Sequence, residues 1–263
     1  MTRPSLFSRA RLAPLALAGA LALLGSACGA QEPAAQQGAQ QGAQRGAAAG
    51  QAALDSVLPR ADRGRYKGAD SARVTIVEIS DFQCPYCRQW FEQTYARLDS
   101  AYIRTGRVKL IFIHYPLPNH QQAYPASKAA LCAGVQGKFW PMHDRIFATQ
   151  REWSGQSNPA ERFARYATEL RLDAAAYRDC YENDRVAPVI VNDVSNVTGA
   201  GVQGTPTFII NGREVLNGAV GFDEMARVID AQLAAPGAPP AGGQPAPPPA
   251  QQPGAGGGGT GGT

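Results

Sequence analysis

Two cysteines separated by a proline and a tyrosine, Cys84-Pro85-Tyr86-Cys87, stand where a β-branched run hands over to a helical pattern. Upstream, Val74-Thr75-Ile76-Val77-Glu78-Ile79 is short and apolar, as a buried strand is. Downstream, Pro85 suits the first position of a helix, where its fixed φ helps and its missing N–H costs nothing. The helix is predicted to run to about Arg104 and stop near Gly106, with Val108 to Ile113 as the next strand. Cysteines three apart in a first helical turn keep their Cα atoms within the roughly 4.4–6.8 Å a disulfide needs. Such a bond can open and close with little backbone movement. Partial positive charge at the helix start favours a thiolate on Cys84, which would exchange with an incoming sulfur. Cys87, one turn in and more buried, would resolve the mixed disulfide. Half of a zinc site and a purely structural bridge remain as plainer readings. Zinc would need a second pair of ligands, and His114, His120 and His143 are scattered.

The flanks cannot be core. Residues 29–56 are rich in Gln, Ala and Gly, and residues 235–263 are dominated by Ala, Gly, Pro and Gln. Neither can bury enough apolar surface to offset the entropy of ordering, so a disordered linker and a disordered tail are expected. Residues 57–234 remain, a comfortable size for one domain with a real core. The chain's formal net charge is +4, and no basic stripe suggests nucleic acid. Arg60, Arg63, Arg65 and Lys67 read as a solvated approach to the first strand.

Between residues 121 and 199 the strand signal gives way to helices. Tyr124 to Val135 is Ala-rich, and Phe139 to Thr149 is a second helix. Asn158-Pro159-Ala160-Glu161 approximates a capping box. Asp173 caps a stretch holding Cys180, and Ile190, Val194 and Val197 recur at helical spacing. Then come Thr205-Pro206, a strand over Thr207 to Ile210, the hairpin dipeptide Asn211-Gly212, and a strand near Glu214 to Leu216. Phe222, Met225, Ile229 and Leu233 line one face of a last helix. The order is β-α-β, a helical block, then β-β-α.

Three stretches and this order together carry a resemblance. They are Glu78-Ile79-Ser80-Asp81-Phe82-Gln83-Cys84-Pro85-Tyr86-Cys87, Gln136-Gly137-Lys138-Phe139-Trp140-Pro141-Met142-His143-Asp144, and Gly201-Val202-Gln203-Gly204-Thr205-Pro206-Thr207-Phe208-Ile209-Ile210-Asn211-Gly212. With the helical block splitting the strands, the chain resembles the DsbA-like thiol:disulfide interchange family of the thioredoxin superfamily. The resemblance implies an α/β fold, with a central mixed β-sheet flanked by helices and an inserted all-α subdomain. It also implies that Pro206 is the cis-proline facing the cysteine pair. Thr205 and Pro206 would then bind an extended substrate by main-chain hydrogen bonds. Glu78 matches the family's buried acid, which could relay the proton of Cys87. Pro85 and Tyr86 would tune the thiolate. His120 and Asn119 could border the active-site face, although a surface position is the plainer reading.

The first 28 residues read as an address. Arg3, Arg9 and Arg11 precede an apolar run from Leu12 to Leu24, too short to span a bilayer comfortably and suited to a signal peptide. The run ends at Gly25-Ser26-Ala27-Cys28, similar to a bacterial lipoprotein processing site, although Gly25 stands where Leu is usual. Lipidation of Cys28 would anchor the chain; ordinary cleavage nearby would not. Either way the domain is expected in the periplasm or cell envelope, where disulfides persist. With Cys28 set aside four cysteines remain, and a structural disulfide between Cys132 and Cys180 is expected.

The leading expectation is a monomeric oxidase that needs no cofactor or metal. It would give its disulfide to cysteine-containing envelope or secreted polypeptides, and a membrane redox partner would reset it. A reductase or isomerase fed by a membrane electron donor would use the same motifs. A binding module on the same scaffold would leave Cys84 no more reactive than an ordinary thiol.

Overall fold

A computed structural model describes residues 56–235. The leader with Cys28, nearly all of the linker and the tail from residue 236 lie outside the described residues. A five-stranded mixed sheet in the order β1-β3-β2-β4-β5 forms the centre: β1 Tyr66–Lys67, β2 Val74–Ser80, β3 Val108–His114, β4 Thr207–Ile210 and β5 Glu214–Asn217. Strands β2 and β3 run parallel, and the other pairs are antiparallel. A parallel pair needs a crossover, and helix α2 provides it, from Pro85 to Ile103.

Helix α2 is not uniform. Its turns at Phe91–Tyr95 and Asp99–Ile103 are widened to π geometry. Each wide turn lets two adjacent side chains, Thr94 with Tyr95 and Tyr102 with Ile103, face the interior together. The Asn211-Gly212 turn is as the dipeptide predicts. Both residues have positive φ (50° and 68°), and Arg213 N–H closes the turn on the Ile210 carbonyl at 3.1 Å.

Between β3 and β4 lie six helices: α3 Ala123–Val135, α4 Phe139–Ala148, α5 Gln150–Trp153, α6 Ala160–Glu169, α7 Ala174–Glu182 and α8 Ala187–Gly199. Asp173 caps α7 by accepting from the Ala176 N–H at 2.7 Å. A disulfide joins Cys132 of α3 to Cys180 of α7, with Cα atoms 5.8 Å apart. The last helix, α9 Phe222–Ala234, buries Met225 and Ile229 against the core that also holds Ile76 and Phe208.

The segment before β2 departs from its reading as a solvated approach. Residues 56–64 form helix α1, and Tyr66–Lys67 pairs with Ile111 and Leu110 as an edge strand. Two residues carry no alternation, so this strand leaves no mark in the sequence. Arg65 is buried. Its guanidinium reaches Asp193 of α8 at 2.7 Å, Asp62 of α1 and the Phe112 carbonyl at 3.1 Å. The same Asp193 carboxylate accepts the His114 N–H at 2.9 Å. One ion pair thus fastens the N-terminal segment, β3 and the helical insertion together. Removing one partner leaves a buried charge alone, so Arg65→Met is expected to cost about 3–5 kcal/mol in urea unfolding. A loss below about 1 kcal/mol would show that the pair is not what holds these elements.

Candidate active site

The turn from Asp81 to Cys84 is set by short-range polar contacts. Cys84 N–H donates to the Asp81 carbonyl at 3.0 Å, and Gln83 N–H donates to Asp81 Oδ1 at 2.7 Å. Cys84 then caps α2, with Pro85 in its first turn. The insertion grips this turn from the far side. Buried Gln150 of α5 donates its amide to the carbonyls of Phe82 at 2.7 Å and Cys84 at 2.9 Å. Gln83 and Gln122 exchange two further bonds, and the Gln83 amide also reaches the Ser154 carbonyl.

Both cysteines of the pair are free thiols, and their settings differ. Cys84 sits lower in the surface than an exposed thiolate would, at 3% exposure, while Tyr86 beside it is 61% exposed. Its pKa is brought down to about 6. The hydrogen bond with the Cys87 thiol is the main cause, helped by Thr205 and by the N–H groups of Cys87 and Tyr86, against the opposing effect of burial. Cys87 is fully buried, and burial pushes its thiol well above the ordinary value; the bond with Cys84 adds to the rise. The Ser80 hydroxyl and the Asp81 N–H, 3.5 Å from the sulfur, oppose the rise without overcoming it. The arrangement yields one sulfur ionised at neutral pH and one held protonated behind it.

The Thr205-Pro206 peptide is cis, and the Thr205 carbonyl lies 3.4 Å from Cys84 Sγ. The fold therefore brings Cys84, Pro85, Tyr86, Cys87, Thr205 and Pro206 to one place. Glu78 is on the neighbouring strand β2, fully buried, with neither carboxylate oxygen closing a hydrogen bond and the Ser80 hydroxyl the one group that favours its charged form. Burial is the chief cause of its rise to about 8, so it is mostly protonated at neutral pH. Cys132 and Cys180 stand apart, bridged within the helical insertion.

His120 is not merely a surface residue. Its Nδ1 is 2.7 Å from Oδ2 of buried Asp81, which also accepts the Leu117 N–H at 2.9 Å. Asp81, Gln83, Gln122 and Gln150 were not singled out by the sequence as individual site residues. The signal for Asp81 is its place three residues before Cys84. The glutamines carry none, because their partners are main-chain or amide groups 39 to 71 positions away.

The thioredoxin family profile matches residues 60–231. The chain belongs to the thioredoxin family. Among its relatives is the Na(+)/H(+) antiporter NhaA 3 of Salinispora tropica, 36% identical over 70% of this chain and 27% of that one. The chain thus spans about a quarter of the antiporter relatives it matches. The probable disulfide bond formation protein D of Bacillus anthracis is 28% identical over 63% of this chain and 76% of that one. Among solved structures, oxidised BdbD from Bacillus subtilis superposes with a TM-score of 0.60 at 21% identity, over 66% of this chain and 95% of that one. The fold of this thioredoxin-family chain is therefore that of the DsbA-like proteins, sheet and helical insertion included.

Two outcomes follow for the site. After mild reduction that opens only the Cys84–Cys87 pair, alkylation should label Cys84 and not Cys87, half-maximally near pH 6, while Cys132 and Cys180 stay unlabelled until the protein is unfolded and fully reduced; peptide mapping by mass spectrometry reads all four. Labelling of Cys84 only above about pH 8 would contradict the site's electrostatics. Glu78 binds its proton more tightly folded than unfolded, so its contribution to stability falls as pH rises from about 4.5 to about 8. Glu78→Gln should flatten that slope, gaining on the order of a few kcal/mol over wild type at pH 8 but not at pH 4.5 in urea titrations.

Proposed function

We propose that this chain is an extracytoplasmic thiol–disulfide oxidoreductase that donates the Cys84–Cys87 disulfide to folding envelope or secreted proteins. The observation that carries this is the split between the two thiols, with Cys84 at about 6 and Cys87 far above. A substrate thiolate attacks Cys84 Sγ, the Cys84–Cys87 bond breaks, and the electron pair leaves on Cys87, which takes up a proton. A second substrate thiolate then attacks the substrate's own sulfur in the mixed disulfide. A disulfide forms in the substrate, and Cys84 departs as a thiolate. The low pKa makes it a good leaving group and stabilises the reduced enzyme, which makes the pair oxidising. The cis turn at Thr205-Pro206, which leads into β4 with its carbonyl beside Cys84, suits main-chain pairing with a substrate strand and so little sequence selectivity.

In this reading Glu78 exchanges the proton of Cys87, and a membrane protein reoxidises the pair. The leader directs the chain to the periplasm or envelope, where Cys28 lipidation would tether it by the 29–56 linker. The chain acts as a monomer, without metal or cofactor. The Cys132–Cys180 bridge suits the same oxidising compartment.

The reduction potential against glutathione buffers tests the direction of flow. A value near about −120 to −180 mV fits disulfide donation, whereas one near about −270 mV would make the protein a reductant fed by an electron donor. Cys84→Ser should abolish turnover in either case.

A further inference from the structure

Behind Cys87, the face of β2 that bears Glu78 and Ser80 continues onto β3 through their register partners, Phe112 and His114. Helix α4 lays the His143 ring on the same patch, 5.3 Å from Phe112 and 5.4 Å from Tyr95. Several polar atoms in this apolar pocket have no hydrogen-bond partner: both Glu78 oxygens, Ser80 Oγ, both His114 nitrogens and His143 Nε2. His143 differs from His114 in one respect. Its Nδ1 lies 2.8 Å from Oδ1 of Asp144, whose side chain is 47% exposed. Asp144 in turn lines a surface groove with Lys67, Tyr95 and Asp99.

A carboxylate only accepts, so the Asp144 contact fixes the proton of neutral His143 on Nδ1 and leaves Nε2 as a bare acceptor facing inward. Protonated Glu78 is a buried donor without an acceptor. An orphaned donor and an orphaned acceptor that share Phe112 as a neighbour are complementary; they make no direct hydrogen bond, so an ordered water would have to join them. We propose that His143 and Asp144 carry the proton exchanged between Cys87 and Glu78 out to this groove.

This rests on the reading of Cys84 and Cys87 as the working pair. When Cys87 attacks the mixed disulfide on Cys84, a Cys84–Cys87 bond forms, the partner leaves as a thiolate, and the Cys87 proton must go elsewhere. Glu78 can take it only after losing its own, and His143 Nε2 is the base it meets; Nδ1 passes a proton to Asp144. In the reverse direction the protons run inward. Burial holds His143 below the ordinary imidazole range, which keeps it a neutral relay rather than a fixed cation. Glu78 feels Ser80 from its own strand and Asp144 from α4, and acts in turn on Tyr95 of α2. Ser80 also supports Cys87 of α2 and is registered with His114 of β3, His143 meets this face at Phe112, and Lys67 and Asp99 lie at the mouth. His114 has no surface partner and ends the pocket. His143 and Asp144 are positioning residues, since neither touches sulfur.

The test loads Cys84 of the full chain with glutathione and follows glutathione release by Cys87 from pH 5 to 9. His143→Phe keeps the pocket filled and should slow release at least about tenfold at pH 7. Asp144→Asn, on the surface and outside the packing, should slow it several-fold and shift the pH profile, and it carries the test should His143→Phe fail to fold. Glu78→Gln/His143→Phe should be no slower than Glu78→Gln alone, as members of one path are. Wild-type rates in His143→Phe and Asp144→Asn beside a slow Glu78→Gln would overturn the route. Slowing of His143→Phe that leaves the pH profile unchanged and adds to that of Glu78→Gln would overturn it too, as a packing effect. Failure of Cys84 to take up glutathione would sink the redox reading itself, and the route with it.

Discussion

Burial of the Cys87 thiol is the constraint on which the site depends. Two cysteines in the same solvent would ionise alike. Here one ends a strand-to-helix turn and the other faces the core one helical turn later. The desolvated thiol cannot ionise cheaply, so it remains a hydrogen-bond donor to its neighbour and lowers that neighbour's pKa. The asymmetry comes from the position of a helix start relative to a buried face. Nothing chemically distinct about either residue is needed.

That geometry is maintained from outside the sheet. The turn's carbonyls at Phe82 and Cys84 are held by Gln150, a residue of the insertion, and Gln83 is tied to Gln122 and Ser154. Helix α4 lays Phe139 and His143 on Phe112, the cross-strand partner of Glu78, and so helps to cover that face of the sheet. The cover excludes water, and that exclusion is what raises the carboxyl. The insertion therefore acts on the chemistry through two routes, hydrogen bonds to the turn and control of the local dielectric. The Cys132–Cys180 bridge ties α3 to α7 within the same insertion.

The sequence discloses those parts whose signals are local. The β-branched run before Cys84, Pro85 at a helix start, Asp173 as a cap and Asn211-Gly212 as a turn each act over a few residues, and each element forms where its signal stands. Features that depend on distant partners stay hidden. Arg65 looks like one more surface cation until Asp193, 128 positions away, meets it. Gln150 and the Asp81–His120 pair are invisible for the same reason, since neither a helix period nor a turn rule says where an amide or imidazole will point. The meaning of Pro206 and Glu78 came through family resemblance, not through anything their neighbours in sequence reveal.

The unpartnered Glu78 carboxyl argues for function over stability. An apolar side chain of similar size would pack among Phe112, Phe208 and Ile76 without the cost of desolvating a titratable group. The position is on the central strand, its cross-strand partners Phe112 and Phe208 are apolar, and no cation pairs with it among the described residues, so no structural ion pair explains it. A carboxyl tuned to about 8 and set behind a thiol that must gain and lose a proton is suited to proton exchange near neutral pH. The same reasoning extends to His143, whose inward nitrogen is also costly to bury without a partner, and which, unlike the buried His114, is linked to a surface carboxylate. Two unfavourable groups that are chemically complementary, lying on either side of one aromatic patch, are more economically explained together than separately.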